Sequence, residues 1–324
     1  MKIDLGDIFD PNEVWIAHNR IKRYIHRTPL FHSYSLSKLT GSEIYIKPEC
    51  WQKSGSFKVR GAINHISSLT KEKMNKGLVT ASSGNHAIAV AYASTLFGEP
   101  STRIYVPEDA DIAKVKKILQ WEPELIYFGK SFPDTYNEAR RFAEENDATF
   151  VNASRAEVIA GQGTIGLEVM EDLPDVDSII VPVGGGGLIS GVSVAAKTIS
   201  DTVRIIGVEP SASPGAYNSL RDGVAYEELD YGFSIADSLV GGFDVLPFQI
   251  CSLTVDETLL VEDSEIIEAM RVFQREEQLM VEPASAVGLA ALMTGKVQAD
   301  GEKVVLIVTS RNVDADMYNQ LVDQ

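Results

Sequence analysis

Residues 178–190 read SIIVPVGGGGLIS. The run 178–183 is apolar enough for a strand buried on both faces, as in a parallel sheet covered by helices. It leads straight into four glycines, and the stretch after Leu188 reads as a helix. Strand, tight loop and helix are the repeating unit of α/β folds. Four consecutive glycines are costly in chain entropy, so a purely structural turn is the weaker reading. Such a loop brings several backbone N–H groups close to one phosphate. The dinucleotide pattern G-x-G-x-x-G does not fit, because Ile189 stands where its last glycine should be if Gly184 is the first. The P-loop is absent too: Gly129-Lys130-Ser131 has Glu124 where the upstream glycine belongs. Gly184, Gly185, Gly186, Gly187 and Leu188 therefore suit a compact monophosphate.

The same alternation extends outward in both directions. Strands are expected at 43–47, 77–82, 103–107, 124–128, 149–153, 204–210 and 303–310. Helices are expected at 85–97, 113–121, 135–145, 264–278 and 284–294. A first helix follows Asp10 as N-cap and Pro11, with Glu13 completing a capping-box-like start. Trp15, Ile16, Ile21, Tyr24 and Ile25 then recur at roughly helical spacing, and Pro29 closes the segment. Residues 211–262 read only as mixed loop and short elements. The fold class is α/β, with two open, twisted, mainly parallel sheets flanked by helices. A small domain, 73–151, is expected to be inserted in a larger one made of 1–72 and 152–324. In such sheets ligands bind beyond the carboxyl ends of the strands, here in the cleft between domains.

Composition narrows the function. The chain has 324 residues, 44% hydrophobic and 23% charged, which excludes disorder, coiled coil and collagen. With 29 Lys and Arg against 46 Asp and Glu, the net charge is −17. That surface repels nucleic-acid backbones and disfavours anionic membranes; its plain reading is solubility. Cys50 and Cys251 are too few and too far apart for a disulfide framework or a zinc site. The start MKIDLGDIFDPNEVW has no basic n-region and no apolar core, so no signal peptide is expected. No apolar run approaches membrane-spanning length. A cytoplasmic protein is expected.

Three further motifs carry chemistry. In Ser54-Gly55-Ser56-Phe57-Lys58-Val59-Arg60-Gly61-Ala62 a lysine opens a helix, where the helix end already carries partial positive charge. A snorkelling surface lysine competes evenly with a lysine of depressed pKa that attacks a carbonyl cofactor. Ala81-Ser82-Ser83-Gly84-Asn85-His86-Ala87 sits at a strand-to-helix turn whose free N–H groups can hold a carboxylate. Plain N-capping needs only one of these residues, so the cluster favours a binding loop, with His86 as a packed histidine. Thr309-Ser310-Arg311-Asn312 ends the last strand, and Glu282 precedes a helix that it can simply cap. H-E-x-x-H, G-x-S-x-G and cysteine clusters are all missing.

In this order the motifs resemble those of fold type II, tryptophan synthase beta-like, pyridoxal 5′-phosphate (PLP) enzymes. The threonine/serine dehydratase (ammonia-lyase) and serine racemase family is the nearest. The resemblance runs from Arg27-Thr28-Pro29-Leu30 to Asn312-Val313-Asp314, and S-F-K-x-R-G-A with S-S-G-N-H and G-G-G-G-L is highly specific. Sulfhydrylases usually carry an acidic residue where Val59 stands. The regulatory domain of biosynthetic threonine dehydratases is not expected. The resemblance implies that Lys58 holds PLP as a Schiff base and that Phe57 packs against the ring. Asn85 would bond the phenolic oxygen, the loop 184–188 the phosphate, and Thr309 would face the pyridine nitrogen, with Glu282 also at the cofactor. Ser82, Ser83, Gly84, Asn85 and His86 would clamp the substrate carboxylate. A neutral hydroxyl opposite the pyridine nitrogen makes the ring a weaker electron sink than a carboxylate partner would, which favours prompt loss of a β-leaving group.

The implied activity is therefore dehydration of a hydroxy amino acid such as L-threonine or L-serine to a 2-oxo acid and ammonia, in a homodimer or homotetramer. Racemisation is the alternative, because in serine racemases a serine matching Ser83 faces Cα opposite the lysine; some dehydratases carry it too. A non-catalytic small-molecule binding protein is the reading from another class, and an intact Lys58 argues against it. Three departures stand out. The family's divalent-cation site, for magnesium, finds Glu209 and Ser213 here but Gly215 at its carboxylate position. A-D-G reads Ala236-Asp237-Ser238, and S-G-G-N reads Thr309-Ser310-Arg311-Asn312. Arg311 can pair with a second substrate carboxylate, as in 3-hydroxyaspartate, though a solvent-facing arginine is the plainer reading.

Overall fold

Alternate residues of each apolar strand point to opposite faces, and helices cover both. A computed structural model describes residues 5–228 and 230–323; the first four residues of the acidic start, Leu229 and the last residue of the segment 152–324 lie outside them. Among the described residues the strands are β1 (Phe31–His32), β2 (Glu43–Pro48), β3 (Leu78–Ala81), β4 (Thr102–Val106), β5 (Glu124–Tyr127), β6 (Thr149–Phe150), β7 (Ser178–Pro182), β8 (Arg204–Pro210), β9 (Glu257–Val261) and β10 (Lys303–Val308). They form a six-stranded sheet, β1-β2-β10-β7-β8-β9, and a four-stranded one, β5-β4-β3-β6. All pairs are parallel except β1 with β2.

In the larger sheet Ile180, Ile206, Val304, Leu306 and Val308 pack toward the helices Asp263–Glu277 and Pro283–Met293. Their neighbours Ile179, Val181, Ile205, Val305 and Ile307 pack toward Ala156–Asp172 and Gly187–Ile199. This is the period of two that a strand imposes. The latter two helices touch backbone to backbone: a Cβ on Gly191 would come within 2.5 Å of the Gly163 nitrogen.

Several sequence expectations shift. The first helix spans Asn12–Ile21. Asp10 accepts the Asn12 N–H at 2.9 Å, but Pro11 is the N-cap residue and the capping box through Glu13 does not form. Tyr24 and Ile25 lie beyond the helix and join the core from a turn. The strand expected at 149–153 pairs only over Thr149–Phe150. Residues 211–262 resolve into the helices Gly215–Asp222 and Val245–Thr254, a 3₁₀ turn Asp237–Leu239, and β9 at the sheet edge. Among the described residues no helix is long and apolar enough to cross a membrane.

Candidate active site

The carboxyl ends of β10, β7 and β3 bring the four motifs together. Residues 54–57 are laced onto the end of β10: Phe57 N–H donates to Thr309 O, Arg311 N–H to Gly55 O, both at 3.0 Å, and Ser56 bridges Ser310. Lys58 opens the helix Lys58–Ser68 from this anchor, and its Nζ lies 4.9 Å from the centre of the Phe57 ring. Burial pushes the Lys58 ammonium down to about 8, with Glu282 and Asp244 pulling partly the other way. The position is not that of a solvated surface lysine.

Two residues along the helix, Arg60 is fully buried and spends its whole fork. Its nitrogens donate to Glu49 at 2.7 and 2.8 Å, to Glu168 at 2.7 and 2.9 Å, and to Thr164 at 3.1 Å. Lys47 donates to Glu168 at 2.6 Å and to Thr28 O at 2.7 Å, and Thr28 donates to Glu49 at 2.6 Å. These charges tie the lysine's helix to β2 and to Ala156–Asp172.

Asn85 is the first residue of the helix Asn85–Thr95. Its Oδ1 accepts from Asn312 Nδ2 at 2.8 Å and from Ser310 Oγ at 3.2 Å. That assigns the amide orientation, so Nδ2 is the donor end; it donates to the Glu282 carboxylate at 3.0 and 3.1 Å. Asn312 also donates to Ser54 O at 2.9 Å, joining this node to the lysine's segment. Glu282 does not cap the following helix as anticipated. Its buried carboxylate takes Asn85 and, at 3.1 Å, Ser238 Oγ; burial raises its pKa, with the Asn85 bonds opposing. Thr309 Oγ1 lies 2.8 Å from Ser285 Oγ, which in turn accepts the Ser310 N–H.

The serine-rich turn leaves donors open. Ser82 Oγ accepts only the Gly84 N–H, at 3.2 Å, and Gly84, at the cap of the helix, carries no side-chain cap bond. Ser83 is half-buried beside it. The His86 side chain is packed: its buried ring meets Val151 O at 3.0 Å, and burial with nearby Lys58 lowers it to about 4. Its other ring nitrogen, Nδ1, is buried without a hydrogen-bond partner among the described residues.

The glycine loop ends β7 and opens the helix Gly187–Ile199. Gly186 has φ +89°, and a Cβ there would strike the Phe243 ring and come within 2.5 Å of Pro247 Cβ. Backbone N–H groups of residues 184–188 make no hydrogen bond among the described residues. They form a donor cradle, and glycine is required in it at Gly186 and at Gly187, where a Cβ would lie 2.8 Å from Ala153 O.

Both Glu209 oxygens are engaged by the first turn of Gly215–Asp222, accepting from Ala216 at 2.9 Å and Tyr217 at 2.7 Å. Ser213 Oγ accepts the Gly241 N–H at 3.0 Å. The proposed cation ligands thus serve as a helix cap and a loop tie, and no group of three His, Cys, Asp or Glu converges among the described residues. Arg311 is exposed, and only its backbone is tied to the site. Asn312, Ser310, Ser285, Ser238 and Asp244 had no role in the sequence reading. Asn312, Ser310 and Ser238 lay inside segments already marked, whereas Asp244 lay in the stretch 211–262 and carried no signal.

Comparison with known proteins agrees with this geometry. L-threonine ammonia-lyase of Thermotoga maritima is 42% identical, over 95% of this chain and 77% of that protein. Serine racemase of Oryza sativa subsp. indica is 37% identical, over 95% of this chain and 92% of its own. The structure of maize serine racemase superposes with a TM-score of 0.90 at 36% identity, covering 97% of this chain and 96% of the other. Residues 21–310 match the pyridoxal-phosphate dependent enzymes, and the chain belongs to that family.

Proposed function

We propose that the protein is a PLP-dependent ammonia-lyase that removes water from a hydroxy amino acid, L-threonine or L-serine, giving a 2-oxo acid and ammonia. One observation carries the reading: a lysine lowered to about 8 shares its cleft with an oriented asparagine amide, a strand-end hydroxyl and an open glycine cradle. The donor set fits PLP. Lys58 would hold the aldehyde carbon, the N–H groups of 184–188 the phosphate, Asn85 Nδ2 the phenolic oxygen, and Thr309 the pyridine nitrogen. Phe57 and Glu282 would border the ring. Bound there, the cofactor supplies an electron sink that acidifies the substrate's Cα–H.

The chain's own groups do the rest. The open N–H groups after Gly84, with Ser82 and Ser83, orient the substrate carboxylate. Lys58 Nζ, neutral above about pH 8, takes the Cα proton. The Cβ–O bond then breaks with its electron pair going to oxygen, which leaves as water after gaining a proton. The released enamine hydrolyses to the 2-oxo acid and ammonia. The 42% identity to an L-threonine ammonia-lyase supports this reaction. A racemase is the second reading, supported by Ser83 beside the open helix start and by the rice and maize relatives. A panel of L-threonine, L-serine and D-serine, read for both 2-oxo acid and chirality, separates the two.

We also propose a small domain over 73–151, a cytoplasmic location, and a homodimer or homotetramer. For the assembly, support comes from an aromatic ridge on edge strand β1: Phe31 stacks on exposed Trp51 at 5.9 Å, and His32 meets Tyr34, itself 83% exposed, at 4.5 Å.

A further inference from the structure

Asp244 stands at the N-cap of the helix Val245–Thr254, where an aspartate ordinarily accepts a first-turn N–H. Here it caps nothing. Its carboxylate turns to the glycine loop, with Oδ2 3.5 Å from where a Cβ on Gly185 would sit. Ser154, 3.7 Å from the same point, donates its hydroxyl to that oxygen. An acid and a hydroxyl thus stand beside the open N–H cradle, on the side that a Gly185 side chain would fill. The other ionisable groups facing Asp244 are Glu227, Lys58 on its helix, and Tyr136 on the helix Phe132–Glu145. Burial, with Glu227, raises the Asp244 pKa, while the Ser154 bond and Lys58 oppose.

We propose that Asp244, steadied by Ser154, shares a proton with the phosphate bound in the glycine loop, so that phosphate binding takes up one proton. Two anions meeting at one loop repel unless one carries a proton, which then becomes a hydrogen bond between them. The proton comes from solvent, and no other bond is made or broken. The inference rests on the loop being a phosphate site. Its consequence is that cofactor retention weakens with rising pH through a residue outside the expected cofactor shell.

The test measures PLP dissociation constants from pH 6.5 to 9 for wild type and Asp244→Asn, by the visible absorbance of bound cofactor. Asparagine keeps the shape and a donor but cannot ionise. Free PLP titrates alike in both proteins; Lys58, whose pKa Asp244 helps to hold up, is titrated in each and its share removed before the ratio is taken. Wild type should lose affinity relative to the variant by roughly tenfold per pH unit above the shared pKa. A ratio flat with pH overturns the proposal. Independently, calorimetry of inorganic phosphate binding to Lys58→Ala near pH 8.5, in buffers of different ionisation enthalpy, should show uptake of about one proton. No uptake overturns the proposal without any Asp244 variant having to fold. If wild type binds neither PLP nor phosphate, the phosphate-site reading fails instead.

Discussion

Lys58 is where burial becomes reactivity. Taking its ammonium out of water lowers its pKa to about 8 against an ordinary 10.5, and the two nearby carboxylates restore only part of that. In the cofactor-free protein, the reaction of Lys58 with a simple aldehyde should therefore rise with pH and level off above about 8, followed by trapping and peptide mapping. Stability carries the matching sign. Between pH 8 and 10.5 the unfolded lysine holds a proton that the folded one has shed, so stability from this group rises with pH across that window. Lys58→Ala should lack this rise in urea titrations.

Among the elements, the helix Lys58–Ser68 owes its position to a buried ion cluster. Arg60→Ala strands two buried carboxylates, and should cost about 3–5 kcal/mol in denaturant midpoints. Arg60→Lys should recover only part, because a point charge cannot bridge Glu49 and Glu168 as the fork does. A loss within 0.5 kcal/mol for Arg60→Ala would contradict the cluster's role. The long buried strands were legible because β7 and β10 carry unbroken apolar runs and β8 the short buried run Ile205–Val208. It hid β1, two residues long, and β9, which is half-buried at an edge and framed by Asp256 and Glu262. Glu282 read as a cap because its sequence position is a capping position; only folding shows that Asn85 draws its carboxylate away. Glu209 shows the reverse: its sequence position gives no capping signal, yet both its oxygens accept first-turn N–H groups of Gly215–Asp222.

At the scale of the whole molecule, the site depends on groups from both sheets staying together. Asn85, after β3, reaches Asn312 and Ser310 after β10. At the rim, Lys114 on the helix Ile112–Leu119 pairs with Asp237. That pair is partly exposed, with Asp237 58% accessible, so its contribution is about 0–1 kcal/mol and salt-sensitive. Lys114→Ala should shift KM by up to about fivefold, less at high salt, with kcat nearly unchanged. A collapse of kcat would mean that the pair does more than hold the cleft shut. This convergence was legible as motifs, but the side-chain bonds between them were not, because they join residues as far apart as 85 and 312.

The most direct measurement is 2-oxo acid and ammonia released by purified, PLP-loaded protein from L-threonine and L-serine, with the chirality of the remaining amino acid read alongside. Wild type should release equal amounts of both products, and Lys58→Ala none. Inversion outpacing oxo-acid release would contradict the ammonia-lyase reading and make Ser83 the second acid/base of a racemase.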